Sequence, residues 1–188
     1  MTWLIILIVV VVAAYVAVVF NGLVRARQMA DEAWSGIDVQ LKRRSDLVPN
    51  LVEAVKGYAA HERNVLDEVT QLRGAARAVP TNDVAARAQA EGALSAGLGR
   101  LIALSESYPD LKASGNFLAL QQQLSALEND LQMARRYYNG AVRNFNVMVQ
   151  SFPSNLIAGS FGFAARPFFE LADAGDREVP NVDLAGAR

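Results

Sequence analysis

Residues 3 to 20, WLIILIVVVVAAYVAVVF, run without a charged side chain, and Tyr15 supplies the one hydroxyl in the stretch. As a helix the run spans roughly 27 Å, close to the hydrocarbon thickness of a bilayer. It therefore predicts a transmembrane anchor over residues 1–22, with Trp3, Leu4, Tyr15 and Phe20 as its anchor residues and Trp3 placed to sit at one interface. A cleaved signal peptide is the competing reading. The run is long for one, no basic segment precedes it, and the following NGLVRARQ offers no pair of small residues for cleavage.

Met1 and Thr2 alone stand before the run, whereas Arg25, Arg27, Lys42, Arg43 and Arg44 follow it. A bias of lysine and arginine sets orientation, so the bulk of the chain is expected in the cytoplasm with the N-terminus outside, at the inner membrane of a bacterial-type cell. Arg25 and Arg27 are close enough to reach anionic headgroups. Lys42 would lie roughly 33 Å beyond Phe20 on a straight helix, which gives the Lys42–Arg44 cluster another role. Pairing with acids such as Asp46, Glu53 or Glu128, or with a partner, is the expectation.

Beyond residue 22 apolar residues recur at steps of three and four, which keeps them on one helix face. A first stripe reads Ala30, Ala33, Trp34, Ile37, Leu41, and a second runs from Val48 to Leu72. Pro49 sits between them with Ser45 and Asp46 as capping candidates, so one helix is expected to end near Arg44 and the next to begin near Leu47. A continuous, kinked helix is the alternative. AVPTND (78–83) ends the second helix, and a weaker Ala- and Gly-rich third follows with Leu94, Leu98, Leu101, Ile102 and Leu104. After the Pro109 break the fourth runs from Phe117 to Val149 and stops at Pro153. The predicted fold is all-α: an N-terminal transmembrane helix, an antiparallel four-helix bundle over 23–153, and an irregular C-terminal tail over 154–188 that is Phe-rich and then polar.

Little here suggests catalysis. The chain has no cysteine and one histidine, His61, whose HERNV setting lacks the second histidine of a zincin motif. GLG at 97–99 follows a helical pattern rather than a strand, so it fails as a dinucleotide loop. No cofactor, metal or small-molecule substrate is expected. A net charge of −1 and the absence of a basic stripe around RRYYN (135–139) argue against nucleic acid.

Polar residues on the apolar stripes carry more information. Arg44, Asp46, Glu128 and Arg135 are expected to form a polar network across helices, because a buried charge requires a partner. Boundary positions with the charged heads in water are the alternative. Asn129, Asn139, Asn144, Asn146 and Asn155 read as a solvated face or as hydrogen-bonding positions on a helix. The tail concentrates Phe161, Phe163, Phe168 and Phe169, which must be covered by the chain's own helices, by lipid or by a neighbouring chain.

Three long segments, AWSGIDVQLKRRSDLVPNLVEAVKGYAAHE (33–62), YPDLKASGNFLALQQQLSALEN (108–129) and ARRYYNGAVRNFNVMVQSFPSNLIAGSFGF (134–163), resemble the LemA family. That resemblance implies one N-terminal transmembrane helix with a minute outward terminus and a cytoplasmic four-helix bundle, and it brings no catalytic residues. The expected function is a non-enzymatic scaffold or adaptor at the membrane, with membrane lipid and a membrane protein as partners. Self-assembly into a homo-oligomer that organises or shapes the membrane is the alternative.

Overall fold

The computed structural model describes residues 1–170; the polar end of the tail lies outside them. Its helices are α1 (Thr2–Lys56), α2 (Arg63–Ala78), α3 (Val84–Ser105), α4 (Pro109–Lys112), α5 (Gly115–Gln150) and α6 (Ser154–Ser160). No strand occurs among the described residues. The apolar run and the helical body share α1, which at 55 residues extends roughly 82 Å.

α1 and α5 form the spine. Their buried residues, Ala30, Ala33, Ile37, Leu41, Val48, Leu51 and Val55 on α1 and Phe117, Leu120, Leu124, Leu131, Tyr138, Val142 and Phe145 on α5, keep three- and four-residue steps. The two helices run antiparallel, since Leu23 packs with Phe145, Trp34 with Tyr138, and Arg44 with Glu128. α2 and α3 form a hairpin packed against the distal half of the spine, closed through Val69, Leu94, Leu98 and Leu101. Gly97 allows the close approach there: a Cβ at this position would lie 2.7 Å from Leu72 Cδ1. Asp83 caps α3, its carboxylate accepting from Ala86 N at 3.0 Å.

The expected break between Arg44 and Leu47 does not exist. α1 passes through Pro49 and ends at Lys56, and the chain turns instead at residues 57–62, splitting the stripe read as one helix from Val48 to Leu72. Pro49 has no N–H, so the carbonyl of Ser45, four residues earlier, loses its helical donor. Arg73 of α2 supplies the replacement, its Nε donating to Ser45 O at 2.6 Å. The proline ring itself faces outward. A second departure concerns the tail, whose first seven residues form α6 rather than irregular chain.

This substitution of a side chain for a backbone donor is testable. Arg73→Met should destabilise the protein by about 1–3 kcal/mol by leaving a buried carbonyl unpaired. In the Pro49→Ala background, where residue 49 regains its N–H, the same change should cost clearly less. Thermal melts in mild detergent followed by circular dichroism measure both, and equal losses in the two backgrounds would refute the compensation.

Candidate functional site

Three features of the body carry polar or aromatic groups in defined geometry: a buried charge chain, a strap laid along α5, and an aromatic cluster at the end of the apolar run.

The charge chain crosses the core. Leu41, Ala88 and Leu131 belong to one apolar cluster, while Leu47, Leu94 and Leu124 belong to the next. Between them lie Arg44 of α1, Glu91 of α3 and Glu128 of α5. Arg44 is 1% exposed and Glu91 2%. Arg44 Nη1 donates to Glu128 Oε1 at 2.8 Å and to Ser95 Oγ at 2.7 Å. Its Nη2 donates to the Glu91 carbonyl at 3.1 Å and to the Glu91 carboxylate. Arg87, one turn before Glu91, reaches Asp38 Oδ1 at 2.8 Å and Val79 O at 3.1 Å. Asp38, Arg87, Glu91, Arg44 and Glu128 thus alternate in sign across three helices. Burial opposes the charge on Arg44, yet Glu128 and Glu91 together outweigh it and hold its pKa above the ordinary arginine value.

The strap is the extended chain after α6. Asn146 and Asn139 each clamp one residue of it through both amide atoms. Asn146 Oδ1 accepts from Arg166 N at 2.8 Å and its Nδ2 donates to Arg166 O at 2.9 Å. Asn139 does the same for Phe169, at 2.9 and 3.2 Å. Seven helical residues rise roughly 10.5 Å, and three extended residues cover about the same length, so the two clamps keep step. Tyr138 Oη donates to Pro167 O at 3.0 Å. Burial raises the Tyr138 pKa, with Arg166 working against the shift and Asp31 adding to it, so the phenol remains a donor. The strap delivers Phe169, fully buried, against Trp34, with ring centroids 5.5 Å apart.

At the foot of the body, Phe20 meets Phe161 at 4.9 Å and Phe163 at 5.8 Å. Gly162 makes the turn between these rings with φ at +72°, a conformation that favours glycine. Arg27 lies over the Phe163 ring at 5.3 Å, and Arg25 is exposed. Trp3, Leu4 and Tyr15 are exposed along the first half of α1, whose apolar window is long and hydrophobic enough to cross a membrane and is exposed throughout residues 3–15.

Glu128 is one of the three acids expected to pair with the Lys42–Arg44 cluster, and Arg44 is bonded to it, whereas Glu53 pairs with Lys56. Asp46 is not in the cluster, because two residues on from Arg44 it projects from the opposite side of α1, beside Arg43 and Asp130. Arg135 shares Glu128's face but stands two turns away; its guanidinium lies 6.0 Å from the Phe169 ring. Lys42 and Arg43 are exposed and make no ion pair among the described residues. The four phenylalanines divide: Phe163 and Phe169 are buried, Phe161 and Phe168 exposed. Asp38, Arg87 and Glu91 escaped sequence reasoning. Their signal was faint, although Arg87 and Glu91 continue the Leu94, Leu98, Leu101 stripe backwards in steps of four and three.

An open groove of about 570 Å³ lies between Asp31, Trp34, Asp38, Thr81, Tyr138 and Arg166. Trp34 Nε1 is committed there to Thr81 O at 2.8 Å, and Arg166 to Asp31 at 2.6 Å. Among the described residues, no group of three or more histidine and carboxylate side chains converges on a point that would hold a metal ion.

Removing Arg44 should leave Glu91 with Arg87 Nε at 3.7 Å as its remaining cationic neighbour. Arg44→Met is expected to cost about 3–5 kcal/mol of stability, and Arg44→Met with Glu91→Leu clearly less, because a buried unpaired charge is worse than apolar packing. Denaturant titration in detergent decides this; a double variant as unstable as the summed singles would contradict it. Asn139→Ala with Asn146→Ala should release the strap and expose residues 164–170 to protease while the spine stays helical.

Comparison with known proteins gives a consistent relationship. The model of the LemA family matches residues 33–184. Magnetosome protein MamQ 2 of Paramagnetospirillum magneticum is 23% identical over 92% of this chain and 74% of its own length. Protein LemA of Metamycoplasma hominis is 26% identical over 87% of this chain and 72% of its own. Magnetosome protein MamQ of Magnetospirillum gryphiswaldense is 22% identical over 85% and 68%.

Proposed function

Because this chain belongs to the LemA family and carries its helical body on one long apolar helix, we propose that it is a non-enzymatic membrane protein whose body serves as a scaffold or adaptor on the cytoplasmic face of the inner membrane. The observation that carries the reading is the continuity of α1: the same helix is the anchor and one side of the core. The second half of α1 with α2, α3 and α5 makes a four-helix bundle, and its use is contact rather than chemistry within this proposal. Arg25 and Arg27, exposed just beyond the apolar run, support the orientation. Exposed Lys42 and Arg43, near the Asp46 groove, offer a surface for a membrane protein partner.

Self-assembly is supported by a different observation. Met133, Tyr137 and Val147 are exposed on the outward face of α5, in line with one another along the helix. Tethering in a plane raises local concentration, so weak contacts through this face would suffice to organise a membrane.

Two measurements test these readings, one for topology and one for assembly. The chain lacks cysteine, so a single Arg136→Cys can be labelled in intact cells with a membrane-impermeant maleimide. Protection until the cells are opened is expected, and labelling from outside would reverse the topology. Particle mass in mild detergent then reports assembly. A discrete multi-copy particle that dissociates on Met133→Glu with Tyr137→Glu would favour self-assembly, whereas a single-copy particle favours the scaffold that recruits other proteins.

A further inference from the structure

α6 packs where a cytoplasmic helix would not be expected. Its buried residues Ile157 and Ala158 sit with Phe163 against Val16, Val19 and Phe20 of α1, which lie inside the apolar run rather than beyond it. Val16 is roughly 6 Å deeper along the helix axis than Phe20. Interfacial elements bury their apolar face to about that depth, 5–10 Å into the headgroup and acyl boundary.

The opposite side of this corner is apolar and uncovered. Phe152 is 79% exposed, Leu156 63% and Phe161 56%. Charge is absent over the whole element: no charged side chain occurs from residue 144 to residue 165, a span that includes the end of α5, all of α6 and the turn into the strap. Charge resumes at one level. Arg143 closes the run on α5, Arg166 reopens it on the strap, and Arg25 and Arg27 begin it on α1. The antiparallel pairing of Leu23 with Phe145 places Arg143 opposite Arg25, while Arg166 lies 5.8 Å from the Phe145 ring and Arg27 5.3 Å from that of Phe163. An uncharged apolar end rimmed by Arg25, Arg27 and Arg143, with Arg166 ion-paired to Asp31 beside them, fits a phospholipid leaflet, with acyl chains below and phosphates at the rim.

We propose that the corner formed by the end of α5, α6 and the turn through Phe161 is a second membrane-contacting element, inserted into the leaflet that the Phe20 end of α1 occupies. The exposed Phe152, Leu156 and Phe161 side chains enter the interfacial layer, and Arg25, Arg27 and Arg143 stand at the phosphates. The contact of Phe20 with Phe161 and the buried Phe163 locks this corner to the anchor. The proposal rests on α1 spanning the membrane.

The test uses the full chain in vesicles of mixed zwitterionic and anionic phospholipid. Single cysteines replace Phe152 or Leu156, with Val9→Cys in the apolar run and Leu118→Cys on distal α5 as references; each carries a nitroxide. The ratio of collision with oxygen to collision with a water-soluble nickel chelate should be several-fold higher at 152 and 156 than at 118, approaching the value at 9. Water-like ratios at 152 and 156 with a membrane value at 9 overturn the proposal and leave the anchor standing. A water-like value at 9 overturns the anchor reading and this proposal with it. Exclusion of both colliders at 152 and 156, with spectral broadening relieved by diluting into unlabelled chain, would assign the corner to a second copy and equally overturn it.

Discussion

The charged layer at Arg44 sets the register of the whole body. An antiparallel pair of helices with apolar residues at regular steps can slide by a turn and still bury leucine against leucine. A slide of one turn would move Arg44 away from Glu128 and Glu91 and place a guanidinium among Leu41, Leu47, Leu94 or Leu131, which is far more costly than any change in apolar packing. The layer therefore stabilises weakly in itself and excludes the alternatives strongly, the role for which buried polar groups in helical cores are best attested. It also ties α3, an Ala- and Gly-rich helix with a modest apolar stripe, to the spine through Glu91, Ser95 and Arg87.

Two further contacts follow the same logic, in which a side chain satisfies a backbone group that regular structure leaves open. Arg73 replaces the donor that Pro49 lacks. Asn139 and Asn146 offer their amides to the strap as a neighbouring strand would offer its backbone, so an extended segment can lie on a helix without burying unpaired N–H or C=O groups. With its polar groups met, the strap can hold Phe163 and Phe169 in apolar surroundings.

Much of this was legible in the sequence. The apolar run, the stripes of α1 and α5, the turn around Pro80 and the stop before Pro153 each rest on local patterns of spacing and backbone chemistry. Arg44 and Glu128 stood out because they interrupt otherwise apolar lines. What failed was long-range. The proline rule correctly says that a helix loses a hydrogen bond at residue 49, but it cannot see that an arginine 24 positions further along the chain restores it, as the Arg73–Pro49 separation shows. Glu91 was hidden by the low contrast of α3, and Asn139 by the many ordinary reasons for an exposed asparagine. Asp46 was misassigned through proximity along the chain, although a two-residue step reverses direction on a helix.

The uninterrupted course of α1 through Pro49 has a mechanical consequence. From Phe20 to Lys56 the helix covers roughly 54 Å without a joint. Spanning helices respond to bilayer thickness by changing their inclination. On the proposed reading of α1 as a membrane span, an inclination change of about 10° would swing the far end of the body by roughly 9 Å, so the local thickness of the lipid would become a coordinate that whatever stands beside the distal turn can feel.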